Sequence, residues 1–187
     1  MRLIDRPLGA AALFEQSRHL DERGAFARVF CRASLAEIGI VADIAQANLS
    51  HSRSAYTLRG LHIQLGASAE TKVVQCLEGR LFDVIVDLRP TSPSFRRWQG
   101  FELSAENGCV LVVPEGFAHG ILTLTPDVLL AYLVTSPYDA AAERGFRFDD
   151  PAFDIAWPHP PKVISAKDRS HPPFAMERIA PGLRGAA

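Results

Sequence analysis

The chain has no excess of either charge: 20 Lys and Arg stand against 21 Asp and Glu over 187 residues. A formal net charge of −1 provides no global field to gather nucleic acid, so any anion must be held by local basic clusters. Cysteine is scarce too. Cys31, Cys76 and Cys109 are odd in number, widely spaced and never in a C-x-x-C pair, which excludes a disulfide scaffold and that type of zinc or redox motif. Reduced thiols in a soluble cytoplasmic protein are the expectation. No apolar run approaches the roughly 20 residues that span a bilayer, so no membrane contact is expected. The short apolar stretch from Leu8 to Phe14 is flanked by Asp5 and Glu15 and lacks a plausible cleavage site, so it is not read as a signal peptide. Helix signals are few. The best is Ser34-Leu35-Ala36-Glu37, a capping-box pattern that predicts one short helix ending at Gly39.

Strand signals are plentiful. At 48% hydrophobic and 22% charged residues the chain can bury a sizeable core. Turn punctuation recurs at short intervals, at Glu78-Gly79, Pro90 to Pro93, Asn107-Gly108, Pro114-Glu115-Gly116 and Thr125-Pro126-Asp127. Between turns, alternation puts Phe82, Val84, Val86 and Leu88 on one face of a strand, and Asp83, Ile85 and Asp87 on the other. The stretches from Cys109 to Pro114 and from Leu129 to Thr135 read as more deeply buried strands. Asn107-Gly108 suits a type I′ turn and predicts a hairpin between the strands around Phe101 and Leu111. About eight short strands in one domain fit an all-β jelly roll or small barrel, which protects its edges, better than an open sheet. One domain is expected over residues 1–175, its Pro-rich end lying as extended chain on the surface, followed by a flexible tail over 176–187.

The densest polar cluster is Leu58-Arg59-Gly60-Leu61-His62-Ile63-Gln64, followed by Lys72. Strict alternation places Leu58, Gly60, His62 and Gln64 on one face, which in a small barrel can line the interior. An inward histidine there is either a candidate base or a satisfied core histidine. A second cluster, Pro114-Glu115-Gly116-Phe117-Ala118-His119-Gly120, delivers His119 to the start of a strand. A metal-binding cupin barrel would use His-x-His, Glu and a later His, but Gln64 stands where the second histidine belongs. A tight zinc or iron site is therefore not expected.

Six motifs follow one another: Asp21-Glu22-Arg23-Gly24, Gln46-Ala47-Asn48-Leu49-Ser50, the His62 and His119 clusters, Asp149-Asp150-Pro151 and Ser165-Ala166-Lys167-Asp168. In this order, from about Gly9 to Pro172, the chain resembles the dTDP-4-dehydrorhamnose 3,5-epimerases, a metal-independent branch of the cupins. The resemblance implies a cupin-type jelly roll, or double-stranded β-helix, with a few short helices. It also implies no cofactor, a homodimer with an exchanged N-terminal strand, and a nucleotide-linked 4-keto-6-deoxy sugar as substrate, epimerised at C3 and C5 through an enolate.

Such chemistry needs a base on one face of the sugar, an acid on the other and a cation at the enolate oxygen. By resemblance His62 is the base, Asp168 orients it, Tyr132 returns the proton and Lys72 faces the developing oxyanion. Arg23, Arg59 and Lys167 would offset the diphosphate charge. Gln46 and Asn48 would read sugar or base edges, Tyr138 would stack on the pyrimidine, and His119 and Glu143 would contact substrate. Without the resemblance, Tyr132 reads as a core aromatic, Lys72 as a solvated edge lysine and Asp168 as part of a solvated charge run.

The chain departs from the family pattern in two places. Arg28 stands where the family has a carboxylate that contacts the nucleotide, a reversal that bears on base recognition. Ile63 replaces a usual Tyr, but alternation turns it away from the site. The readings set against the double epimerase are a single-carbon epimerase acting on C3 or C5, a non-catalytic nucleotide-sugar-binding cupin and a metal-dependent cupin oxygenase.

Overall fold

The computed structural model describes residues 1–179. In chain order the elements are β1 (Arg2–Asp5), β2 (Ala12–Glu15), β3 (Arg18–Asp21), β4 (Gly24–Ala27), α1 (Arg32–Ala36), β5 (Gln46–Ser52), β6 (Thr57–Gln64), β7 (Lys72–Glu78), β8 (Arg80–Asp87) and β9 (Trp98–Ser104). They continue with β10 (Cys109–Val113), β11 (Phe117–Thr123), β12 (Val128–Val134), β13 (Glu143–Gly145), β14 (Val163–Ile164) and α2 (Ala166–Arg169). One sheet has the order β1-β2-β10-β7-β12-β5. The other has β13-β6-β11-β8-β9, with β14 pairing in parallel to β6. The fold is the expected all-β jelly roll, built from more and shorter strands than the sequence suggested.

Three apolar clusters explain why several strands read as almost continuous hydrophobic runs. Between the sheets lie Val74, Leu81, Ile85, Leu103, Leu111, Phe117, Ile121 and Leu130. The outer face of the β1–β5 sheet carries Ala12, Phe14, Val73, Val110 and Val112, covered by Leu35 of α1 with Ile40 and Ala42. The outer face of the other sheet carries Leu61, Ile63, Val84, Val86 and Leu88, covered by Phe146, Phe153 and Ile179. The central strands of both sheets are thus buried on both faces, the condition under which alternation gives way to solid apolar strands. The Pro-rich segment does lie on the domain, as expected, and three phenylalanines fasten it: the Phe153 and Phe174 rings pack 5.3 Å apart and Phe146 sits 6.0 Å from Phe153.

Several expectations need correction. The predicted hairpin across Asn107-Gly108 does not form, because β9 pairs with β8 while β10 pairs with β2 and β7. The turn is real, with Gly108 at φ +59° and the Asn107 side-chain Oδ1 accepting from the Ser104 and Cys109 amides, but it carries the chain from one sheet to the other. The short helix α1 ends at Ala36, short of the predicted Gly39, which at φ +79° instead closes the turn that follows through Schellman-type bonds from Gly39 N–H to Ala36 O and Ile40 N–H to Leu35 O. Its start differs too: α1 begins at Arg32, so Ser34 lies inside it, and burial of Leu35 rather than a side-chain cap anchors the turn. The ordered chain also runs past the expected boundary at 175. Met176–Arg178 form a 3-10 turn and Ile179 is fully buried, while the rest of the expected tail, 180–187, lies outside the described residues.

One irregularity positions the site. Along β6 and β11, His62 pairs with His119 and Arg59 with Ile121, so β6 carries one extra residue between these positions. This bulge shifts the alternation that the sequence suggested and turns Arg59 to the same side as His62. Gly60 sits in the bulge at φ +115°, where a Cβ would lie 2.7 Å from both Gly120 Cα and His119 O. Neither backbone atom can yield. Gly60→Ala is therefore expected to destabilise the fold by roughly 2 kcal/mol or more, measured as a lower midpoint in urea unfolding at unchanged slope.

Candidate active site

Two adjoining cavities open between the sheets. The larger, about 460 Å³, is lined by Arg59, His62, Lys72, His119, Tyr132, Lys167 and Asp168 among others. The second, about 310 Å³, is lined by Gln46, Asn48, Gln64, Glu70, Tyr138 and Glu143. His62, Lys72 and Tyr132 line both and so mark the junction. The fold therefore gathers the four residues expected to be catalytic together with Arg59, His119, Lys167, Gln46, Asn48, Tyr138 and Glu143. Arg23 and Arg28 are the exceptions. Arg23 lies in the β3–β4 turn, 85% exposed and paired with Asp21, and Arg28 is exposed just after β4. Neither lines a cavity within the single chain.

Asp168 reaches His62 through a chain of local causes. The parallel pairing of Val163 with Thr57 and Ile164 with Leu58 lays the C-terminal segment beside β6. Ser165 then caps α2 by accepting from the Asp168 amide at 3.0 Å. The Asp168 carboxylate, 5% exposed, receives His62 Nε2 on Oδ1 at 2.8 Å and Gly60 N–H on Oδ2 at 3.2 Å. Burial pushes the Asp168 carboxyl up, but the hydrogen bond and charge of His62 with the Gly60 amide outweigh it and hold it below the usual carboxylate range. An ionised carboxylate only accepts, so His62 Nε2 carries the proton and the lone pair is left on Nδ1.

A second imidazole–carboxylate pair lies directly opposite. His119 Nε2 contacts both oxygens of Asp83, at 2.8 and 2.9 Å, and Asp83 is fully buried. Sequence reasoning put Asp83 on the face of β8 opposite Val84 and Val86 without saying which face was inward and gave it no role; the fold turns it inward, where a carboxylate needs a partner. Asp87, on the same face, is taken up by Arg89, Ser92 and Ser94 at the end of the strand. Lys72 is held by Glu70 at 2.7 Å, both largely buried, a pairing the sequence did not signal. A third residue that was missed, His171, packs edge-on against His62 with ring centroids 5.7 Å apart.

In the second cavity, Glu143 accepts from Tyr138 Oη at 2.9 Å and also from Lys167 Nζ. Burial raises the Glu143 carboxyl, but these two hydrogen bonds and the Lys167 charge more than offset it and hold it low. Gln64 is engaged by main chain, donating to Ser68 O and Pro137 O and accepting from Asp139 N–H. At the position of a metal-cupin histidine it acts as a clamp between loops. Among the described residues the group that could offer three metal ligands is His62, Asp168 and His171, with donor atoms within 4.8 Å of one another. Two of those atoms are already joined in the His62–Asp168 hydrogen bond.

With this geometry in hand, comparison with known proteins is decisive. The family described as dTDP-4-dehydrorhamnose 3,5-epimerase matches residues 6–176. The chain belongs to the dTDP-4-dehydrorhamnose 3,5-epimerase family. It is 47% identical over 157 residues to the Sinorhizobium fredii protein of that name, covering 81% of this chain and 78% of the relative. With the Escherichia coli protein of that name it shares 41% over 171 residues, covering 90% and 91%. Among solved structures, the Bacillus anthracis 3,5-epimerase with TDP and PPi bound superposes with a TM-score of 0.89 at 39% identity, covering 92% of this chain and 99% of that one. The Legionella pneumophila enzyme in complex with dTDP-4-keto-L-rhamnose also gives 0.89, at 34% identity, covering 95% and 96%.

The Asp168 pairing carries a pH signature. Because its carboxyl is depressed in the folded state, its contribution to stability is fully present above about pH 4 and is lost as pH falls through the lower folded value. Asp168→Asn is expected to remove that acid-dependent part, so melting temperatures of parent and variant, followed from about pH 7 to pH 3, should converge at the acid end.

Proposed function

We propose that this protein epimerises C3 and C5 of a dTDP-linked 4-keto-6-deoxy sugar, the conversion of dTDP-4-dehydro-6-deoxy-D-glucose to dTDP-4-dehydro-L-rhamnose. The observation that carries the reading is the placement of His62 and Tyr132 on opposite sheets, β6 and β12, with Lys72 of β7 lining the same junction of the cavities. A sugar ring in that gap has a base on one face and a phenol on the other, and inversion at carbon requires that arrangement.

Hydrogens on the carbons beside a ketone are acidic because the carbanion is an enolate. His62 Nδ1 takes the proton, while Asp168 keeps the ring oriented and balances the imidazolium that forms. Lys72, preorganised by Glu70, faces the oxygen where negative charge develops; one such donor is typically worth on the order of 3 kcal/mol of barrier. Tyr132 returns a proton from the opposite face. Arg59 and Lys167 offset the diphosphate, Gln46 and Asn48 meet sugar or base edges, and Tyr138 stacks on the pyrimidine. His119 and Glu143 complete the contacts to substrate.

The reading extends to a homodimer in which the N-terminal strands serve the neighbour's site. What supports it is the β3–β4 ribbon, which among the described residues pairs with no other strand and leaves Leu20 78% and Phe26 73% exposed. Apolar side chains in that position are suited to cover by a second copy. Arg23 would then reach a cavity it does not line in its own chain. Arg28 travels on the same ribbon and tunes recognition of the nucleotide base. Free thiols at Cys31, Cys76 and Cys109 suit a reducing cytoplasm.

Proton NMR with dTDP-4-keto-6-deoxyglucose in deuterium oxide tests the chemistry. Exchange at both C3 and C5 is expected, with a loss of about 10²-fold or more in His62→Ala and in Tyr132→Phe. Deuterium at one carbon alone would select a monoepimerase, as in the 3-epimerase relative of Streptomyces niveus, and no exchange would leave a binding protein. Subunit sharing has its own test. Arg23→Ala and His62→Ala proteins, each inactive, should regain turnover when mixed and allowed to exchange subunits, because one site per heterodimer is then intact; no recovery would place Arg23 in its own chain's site or outside it.

A further inference from the structure

His171 is a buried imidazole that the chemistry above does not use. Its Nε2 is shielded from solvent and has no hydrogen-bond partner, yet it lies 3.4 Å from Asp168 Oδ1, the oxygen that holds His62. The ring stands edge-on to His62 at 87°. Its place is kept open by Gly145 of β13, directly opposite His62 in the sheet: a Cβ there would fall 2.1 Å from His171 Cε1 and Nε2. The fold thus gives up a side chain on β13 to seat this ring against the dyad.

We propose that His171 is a positioning residue for the epimerisation, its Nε2–H aimed at Asp168 Oδ1 so that the carboxylate stays turned toward His62 through the proton-transfer cycle. A lone pair pointed at a carboxylate would be repelled, so the proton sits on Nε2. Burial and the neighbouring His62 charge hold His171 below the ordinary imidazole range against the pull of Asp168, which keeps it uncharged while His62 cycles through imidazolium. A cation at that place would compete with His62 for Oδ1. A water molecule would let the carboxylate swing away. The buried ring prevents both, and its N–H lies ready to close on Oδ1 whenever His62 tilts toward substrate.

The inference rests on His62 being the base, and the loss of C3 and C5 exchange in His62→Ala tests that separately. His171→Phe keeps the ring volume and removes the donor; His171→Gln keeps a donor at comparable reach. In the Phe variant kcat is expected to fall about 10- to 100-fold, the range seen when the partner that orients a functional histidine is lost, with KM unchanged. The Gln variant should recover to within about threefold of the parent on the same argument. Nitrogen-15 NMR of the histidines without substrate reads the dyad directly. The His62 Nε2–H signal should be shifted or broadened in the Phe variant and parent-like in the Gln variant. A Phe variant with parental kcat and an unaltered His62 signal would overturn the proposal. So would losses in both variants that match their fraction of unfolded protein in thermal melts.

Discussion

The Asp168 carboxylate has been taken out of water, and the rest of the structure is arranged around keeping it satisfied. An unpaired buried charge costs several kcal/mol, so its two oxygens must find donors. They find them on a single strand, the Gly60 amide and the His62 imidazole of β6. Asp168 therefore does two things at once: it fastens the C-terminal segment to the sheet and fixes the His62 ring. The segment is also held by the aromatic cluster on the outer face of that sheet and by the short β14 pairing, so the geometry of the dyad depends on folding of a stretch remote from it in sequence.

Two imidazole–carboxylate pairs face one another across β6 and β11, and burial separates their roles. His119 is 12% exposed and closes on both oxygens of a fully buried Asp83, whereas His62 is 30% exposed and shares its carboxylate with a main-chain amide. The more accessible imidazole lines both cavities, and the other stiffens the wall beside it. Lys72 is similarly fixed by Glu70, so its ammonium is held in place at the junction of the two cavities. The second cavity is built differently. There Glu143 gathers Tyr138 and Lys167 on the rim, where Tyr138 and Lys167 stay exposed.

Much of this was legible before folding, and what was not has a common cause. Alternation along β8 separated Asp83, Ile85 and Asp87 from the Phe82, Val84, Val86 and Leu88 face, and the turn residues placed nearly every strand boundary in the middle of the chain. Asn107-Gly108 did make a tight turn, but local turn chemistry cannot say whether the flanking strands pair or part into different sheets. Tyr132, Lys72 and Asp168 were legible only through family resemblance, since nothing nearby in sequence distinguishes them from a core aromatic, an edge lysine and a surface acid. Glu70 and His171 carried no signal: their importance comes from partners met in space.

The sequence by itself determined the class of fold, because β-branched and apolar runs cut by Gly, Pro and Asn at short intervals can bury themselves only as layered strands. It also determined the chemical types available, two histidines in polar motifs with lysine, tyrosine and arginine at spaced positions. The tertiary structure decided which of these meet. The one-residue bulge on β6 turned Arg59 toward His62, the parallel β14 contact brought Asp168 to the ring from over a hundred residues away, and the opposition of two sheets set His62 and Tyr132 on either side of a cavity. Each depends on register between segments distant in the chain. Register is set by the sum of many packing contacts, a quantity that no short stretch of sequence contains.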